Sequence, residues 1–214
     1  MNTETLIQSL SQQAPPVAVL RPPRHWGARI VGVLGIYGLA VQYFLGLRPD
    51  LLLQLSRPLF AVEIFLLVVL IFTSAIATIL AMYPDAYQKP ALLKLPYGIF
   101  GVLVLLMTTQ LLLPHHVSMV MPPLGAHALE CALCIGVVAL IPSAILFMIV
   151  RKGASVVGWH AGAFAVLAAS GVGCLTLRLA ELNDSIEHLL QWHYVPTLLF
   201  AAGGAMIGKW LLRW

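Results

Sequence analysis

The residues of this chain that are able to do chemistry are concentrated between positions 178 and 196. This stretch, "RLAELNDSIEHLLQWHYVP", holds Glu181, Asp184 and Glu187, out of only 8 acidic residues in the chain, together with His188 and His193. Carboxylates and imidazoles serve as metal ligands and as acid–base groups. The stretch therefore has three interpretations, which are a metal or catalytic site, a sensor, or a solvated loop.

A second group lies in "HALECALC", residues 127–134. His127, Cys131 and Cys134 are spaced i, i+4 and i+7, which places them on one face of a helix. A buried cysteine is usually a small apolar side chain, but thiolate, imidazole and carboxylate together can hold zinc or a similar cation. Glu181, Asp184 and His188 show similar helical spacing, so the predicted metal ligands are His127, Cys131, Glu181, Asp184 and His188.

The sequence offers little to support catalysis. It contains no HExxH pattern, no Gly-rich phosphate loop and no nucleophile–base pair at a recognisable spacing. We therefore expect a protein that is not an enzyme. No cofactor is certain, and a divalent metal is considered only as a signal.

The composition explains where these polar groups must lie. Hydrophobic residues make up 60% of the 214 positions and charged residues only 9%, whereas soluble domains carry about 25% charged residues. Six apolar stretches are long enough to cross a bilayer, at about 26–47, 59–82, 96–113, 126–150, 156–178 and 193–212. The sequence predicts an all-α polytopic membrane protein, with six transmembrane helices in a compact bundle.

The distribution of basic residues predicts the orientation of the bundle. With the N-terminus in the cytoplasm, most of the Lys and Arg residues face inwards, and only Arg48, Arg57 and Arg178 face outwards. The inward-facing set is Arg21, Arg24, Arg29, Lys89, Lys94, Arg151, Lys152, Lys209 and Arg213. We expect both termini in the cytoplasm, a location in the bacterial inner membrane, and the 178–196 stretch at the outer face.

The first 25 residues differ from the rest, so we divide the chain into a cytoplasmic segment 1–25 and a transmembrane domain 26–214. Leu6, Ile7 and Leu10 would line one face of a short helix that ends at Pro15. Val17 and Leu20 follow in an extended, Pro-rich strip. This apolar strip would be covered by a partner protein, by the inner membrane surface or by the bundle itself.

Several motifs of the chain resemble the NrsF family. They are "TLIQSLSQQAPPVAVLRPP", "GLRPDL", "RKGA", the "RL" pair at 178–179 and "WHYVPTLLFAAGGAMIGKWLLRW", and they occur in the family's order. The resemblance implies an inner-membrane anti-sigma factor that sequesters an extracytoplasmic-function (ECF) sigma factor, with the lipid bilayer as its other partner and no direct nucleic-acid contact. The sigma-binding residues it implies are Leu6, Ile7, Leu10, Val17, Leu20, Pro22 and Pro23.

The resemblance also implies a place where the signal is sensed. The family uses two cysteines linked to heavy metals or oxidants; the first matches Cys131, but Glu181 stands at the position of the second. Cys174 is a candidate substitute, and a metal-type switch of Cys131 with Glu181 is the other hypothesis. The predicted sensing residues are Cys131, Glu181, His193, Arg178 and Cys174. The alternative functions are a small membrane transporter, a metal-binding membrane enzyme and a structural subunit of a larger complex.

Overall fold

The computed structural model describes residues 2–13, 20–112 and 127–212, with side chains in the last range described from Leu129 onwards. Within these ranges every regular element is a helix and none is a strand, which confirms the predicted all-α class. The helices are α1 Thr3–Gln13, α2 Pro23–Leu45, α3 Leu51–Leu55, α4 Pro58–Leu80, α5 Pro90–Leu112, α6 His127–Val150, α7 Gly158–Ala180, α8 Ile186–His188 and α9 Val195–Leu211.

Two short helices of other types lie between these elements in the described ranges. A 3₁₀ helix, Pro84–Gln88, precedes α5, and a π-helix, Leu189–Tyr194, joins α8 to α9. Prolines set several of the helix starts, because a missing N–H and a fixed φ cost nothing in the first turn. Thus α2 begins at Pro23, α4 at Pro58 and α5 at Pro90. The start at Pro90 lies earlier than the predicted span 96–113.

Five of the helices are long and apolar enough to cross a membrane: α2, α4, α5, α6 from Leu129, and α7. This finding agrees with the predicted membrane class. The last helix, α9, has 17 residues and continues directly from the π-helix. Six spans and the position of the two termini remain predictions.

The central element of the bundle is α7. It packs against α2, α4, α6 and α9, and 83% of its most apolar stretch is buried inside the protein. Small residues allow this crowding, because they let neighbouring backbones approach closely. Ala161, Ala165 and Ala168 on α7 are each fully buried. By contrast α2 buries only Trp26, Ile30 and Leu34, and so lies at the edge of the bundle.

Glycines form the closest helix contact, which is the crossing of α7 and α9. A Cβ added at Gly162 would overlap the carbonyl oxygen of Gly204 and would lie 2.8 Å from Cα of Gly208. A Cβ at Gly204 would lie 2.7 Å from the carbonyl oxygen of Gly162. The two backbones therefore touch directly, and no larger residue fits at this crossing.

The two ends of the bundle differ in charge. The acidic end carries connector 46–57 and segment 181–185, and N of Arg48 donates a hydrogen bond to the carbonyl of Leu179 in the last turn of α7 (3.0 Å). The basic end carries connectors 81–89 and 151–157, where N of Ala154 donates to the carbonyl of Met82 (2.9 Å). The chain enters α2 at the basic end.

Replacing a glycine of the α7–α9 crossing tests this packing. We expect Gly162→Ala to lower the stability of the purified protein by about 1–3 kcal/mol, because the added methyl must push two backbones apart. Gly203→Ala is the matched control, since a Cβ there meets nothing within 4 Å. Thermal unfolding in detergent measures both. Equal midpoints for the two variants would contradict the close crossing.

Candidate sensing site

The segment after α7 decides how the polar residues of stretch 178–196 are arranged. Helix α7 ends at Ala180, and Glu181 is extended, with φ −81° and ψ 142°. The chain stays non-helical until Ser185, whose Oγ accepts a hydrogen bond from N of His188 (3.4 Å). The predicted helical spacing of Glu181, Asp184 and His188 is therefore wrong, because the helix ends before Glu181. These side chains belong to two separate groups.

The first group, the Cys-Glu-His cluster, consists of Cys131, Glu181, His188 and His193. One potential ligand atom from each lies within 4.8 Å of all the others. Nε2 of His188 lies 3.0 Å from Oε1 of Glu181, and Nε2 of His193 lies 3.1 Å from Oε2. Sγ of Cys131 lies 3.7 Å from Oε2 of the same carboxylate. Glu181 thus sits at the centre of the cluster.

The charge state of Glu181 follows from these neighbours. Burial raises the pKa of this carboxyl, but the adjoining imidazoles of His188 and His193 outweigh burial and lower the pKa to about 2. Its contribution to stability is therefore complete above its ordinary value of 4.5 and is lost as the pH falls towards 2. At neutral pH the cluster contains a carboxylate anion.

The π-helix brings the two histidines together. His188 and His193 are five residues apart, and the i→i+5 pattern of a π-helix places such residues on one side. Their ring centroids are 5.4 Å apart. N of Val195 donates to the carbonyl of Leu190, which closes this wide turn. Pro196 is the sequence signal for the irregular turn, because it has no N–H to continue the α-helical pattern.

The second group is an ion-pair network around two buried arginines. Nε of Arg178 donates to Oε1 of Glu63 (2.9 Å) and Nη1 donates to Oδ1 of Asp184 (2.7 Å). Arg48 binds the same Asp184 (2.9 Å) and also Asp50 (2.8 Å). Arg178, Arg48 and Glu63 are each no more than 3% exposed.

Other contacts complete this network. Both guanidinium groups lie over the ring of Phe60, at 5.5 Å for Arg48 and 4.7 Å for Arg178. Arg48 also acts on the half-buried Asp50, because its hydrogen bonds to this carboxylate lower the pKa of Asp50. For Asp184 burial raises the pKa, but Arg48 and Arg178 outweigh it and the net direction is downward.

One residue pair joins the two groups. His193 belongs to the Cys-Glu-His cluster, and the next residue, Tyr194, donates a hydrogen bond from its hydroxyl to Oε1 of Glu63 (2.5 Å). Both side chains are no more than 1% exposed. A displacement of the π-helix therefore acts on both groups at once.

The predicted site residues divide between these groups. Of the predicted sensing residues, Cys131, Glu181 and His193 lie together in the cluster, and Sγ of Cys174 lies 3.9 Å from Nδ1 of His193. Arg178 lies in the ion-pair network instead. Of the predicted metal ligands, Asp184 is bound to the arginines and the side chain of His127 lies outside the described residues. The structure adds His193, which the metal prediction missed.

The Cys-Glu-His cluster has the chemistry of a cation site. Thiolate, two imidazoles and one carboxylate are the ligand types that zinc prefers in four-coordinate sites. Cys131 comes from α6, Glu181 from the end of α7, and the two histidines from the turn before α9. A cation held there would link three separate helical segments.

Comparison with known proteins assigns nearly the whole chain to a family. A family model described as NrsF, "Negative regulator of sigma F", matches residues 10–214. The search of curated proteins and the search of solved structures gave no match.

Removing Arg178 tests the ion-pair network. We expect Arg178→Met to cost about 3–5 kcal/mol of stability, because Glu63 would remain buried without its cation. The double variant Glu63→Leu with Arg178→Met should recover much of this loss, since it leaves no unpaired charge at Glu63. Chemical unfolding in detergent measures both. Strictly additive losses would contradict the pairing.

Proposed function

This chain belongs to the NrsF family of negative regulators of sigma F, and we propose that it holds an ECF sigma factor inactive at the bacterial inner membrane. The proposed mechanism is sequestration, in which the N-terminal segment covers a surface that the sigma factor needs to bind RNA polymerase. This action requires no chemical step. The proposal therefore assigns no catalytic residue.

The observation that carries the proposal is the uncovered apolar face of α1. Leu6, Ile7 and Leu10 are 39%, 61% and 59% exposed, and no residue of α1 is buried. They occupy one side of the helix, which is the pattern of an amphipathic helix that binds in a groove of a partner. The apolar face remains available because the bundle does not bury it.

The other proposed contact residues lie nearer the bundle. Leu20 is half-buried and packs against the apolar core at the basic end, next to Trp26. Pro22 precedes α2 and Pro23 begins it, and both are exposed. Val17 lies outside the described residues. We therefore assign the main binding energy to Leu6, Ile7 and Leu10, and a supporting role to the rest.

We propose six spans, with α9 as the sixth and both termini in the cytoplasm. The basic end supports this orientation, because Arg24, Lys89, Arg151 and Lys152 are exposed there. The acidic end, including the Cys-Glu-His cluster, then faces outwards. In this topology the sigma-binding segment and the sensing cluster lie on opposite sides of the membrane.

We infer that the signal acts at the Cys-Glu-His cluster and is a divalent metal ion of the zinc type. Its ligand set supports this class of signal, because imidazole and thiolate suit borderline cations better than they suit magnesium or calcium. A ligand changes a protein only if it binds two arrangements unequally. In this proposal metal binding rearranges the contacts of Glu181 with both histidines and, through the adjacent residue, the Tyr194–Glu63 hydrogen bond.

The introduction of charge on the apolar face of α1 tests the sigma-binding surface. We expect Leu6→Asp with Leu10→Asp in the tagged full-length chain to abolish co-purification of a sigma factor, identified by its peptide masses, because the apolar face would be lost. Gln8→Asp with Gln12→Asp adds the same charge on the opposite face and should retain the partner. Binding that survives the first pair would exclude α1 as the contact.

Metal titration tests the signal. We expect the purified full-length protein to bind one Zn²⁺ per chain, and Glu181→Gln to weaken binding at least about tenfold. Co²⁺ should give a thiolate charge-transfer band that Cys131→Ser removes. His160→Ala is the control, because His160 lies near Tyr97 and Phe164 instead, outside the cluster. Equal Zn²⁺ affinity of wild type and Glu181→Gln would contradict the site.

A further inference from the structure

An apolar groove runs between α2, α4 and α7, and its lining includes no member of the Cys-Glu-His cluster or of the ion-pair network. Its volume is about 300 Å³, and it is half enclosed. Its walls are almost entirely hydrocarbon, with Val31 and Leu39 from α2, Phe72 from α4 and Leu175 from α7. Ligand sites between the helices of bundles have this size and character.

The shape of the groove is long and narrow. On α2 it extends over the twelve residues from Val31 to Gln42, which is about 16 Å along the helix. One leaflet of a bilayer has a hydrocarbon thickness of about 15 Å, half of the usual ~30 Å. Most of the groove lies in the half of α2 nearer Gly46, and its length is close to that of one leaflet.

Glycines create the hollow. A Cβ built at Gly35 meets nothing within 4 Å, so this wall of the groove is open because a side chain is missing. At Gly38 the added Cβ would lie 3.1 Å from Cγ1 of Val172, so α2 approaches α7 there. If the groove were empty, its walls would lose dispersion contacts, so an apolar occupant would stabilise it.

The polar groups of the groove lie towards its end at Gly46. Nε2 of Gln42 donates to the carbonyl of Gly46 (2.6 Å), and Oε1 of Gln42 has no hydrogen-bond partner in the part of the chain that the structure describes. Oγ1 of Thr176 already donates to the carbonyl of Gly173 (3.0 Å). No charged residue lines the groove. Its occupant is therefore an uncharged hydrocarbon chain with its polar end near Gln42.

We propose that this groove binds one linear acyl chain of a lipid. The three helices that form it are each long and apolar enough to span a membrane, so its open side faces bilayer hydrocarbon. The chain lies along α2 and replaces the protein contacts that this helix lacks, since α2 buries only Trp26, Ile30 and Leu34. The groove shares no lining residue with the Cys-Glu-His cluster or with α1.

Lipid retention tests the proposal. The full-length protein is purified in a detergent with a bulky steroid-like tail, and bound lipid is measured by native mass spectrometry. We expect one lipid per wild-type chain and at least about fivefold lower occupancy in Gly35→Leu, whose side chain fills the groove. Gly98→Leu is the matched control on α5, where an added Cβ also meets nothing within 4 Å, and should retain the lipid.

The mass of the bound molecule distinguishes its source. A phospholipid or a free fatty acid would each support an acyl-chain site, and the mass shows which one is bound. Val68→Phe fills the same groove from α4 and provides a second test if Gly35→Leu folds poorly. A wild-type protein without bound lipid, or equal occupancy in wild type and folded groove-filling variants, would overturn the proposal.

Discussion

The structure depends on the burial of a positive charge at the end of its central helix. Arg178 is 3% exposed, and a charge this deeply buried is tolerable only when it is paired and hydrogen-bonded. Glu63 from α4 and Asp184 from the following segment supply the two anions. Satisfying one arginine therefore fixes the position of α4 against α7 and the path of the chain after α7.

Arg48 extends the same constraint to the first connector. It shares Asp184 with Arg178, and its own backbone N–H binds the carbonyl of Leu179. Connector 46–57 and segment 181–185 are thereby held as one layer at the acidic end. The Cys-Glu-His cluster lies directly beside this layer, because Glu181 and Asp184 belong to the same short segment. A displacement of Glu181 in the cluster would therefore also displace Asp184, which belongs to the ion-pair network.

At the basic end the N-terminal segment makes few contacts with the bundle. The chain enters the bundle there through Leu20 and Tyr83, whose hydroxyl donates to the carbonyl of Arg21 (2.5 Å), while α1 beyond it keeps its apolar face exposed. A segment with few buried contacts is the part of a protein most easily ordered by a partner. The proposed division of labour follows, in which one end binds the sigma factor and the other receives the signal.

The sequence by itself determined the membrane class, the all-α fold, the amphipathic face of α1 and most helix positions. These follow from local properties, namely hydrophobic length, spacing and proline placement. It also indicated Cys131, Glu181 and His193 as candidates for sensing. The resemblance to the NrsF family, read from short ordered motifs, was confirmed by a match over residues 10–214.

Only the tertiary structure decided which polar residues share a site. Helical spacing predicted that Glu181, Asp184 and His188 share one face. Because α7 ends at Ala180, this spacing does not apply. Asp184 binds Arg48 and Arg178 instead, apart from the other two residues. His193 joined the cluster through a π-helix, a turn that sequence periodicity cannot show. Cys131 comes from a helix fifty residues away in sequence. Such contacts depend on the packing of distant segments, which no local pattern encodes.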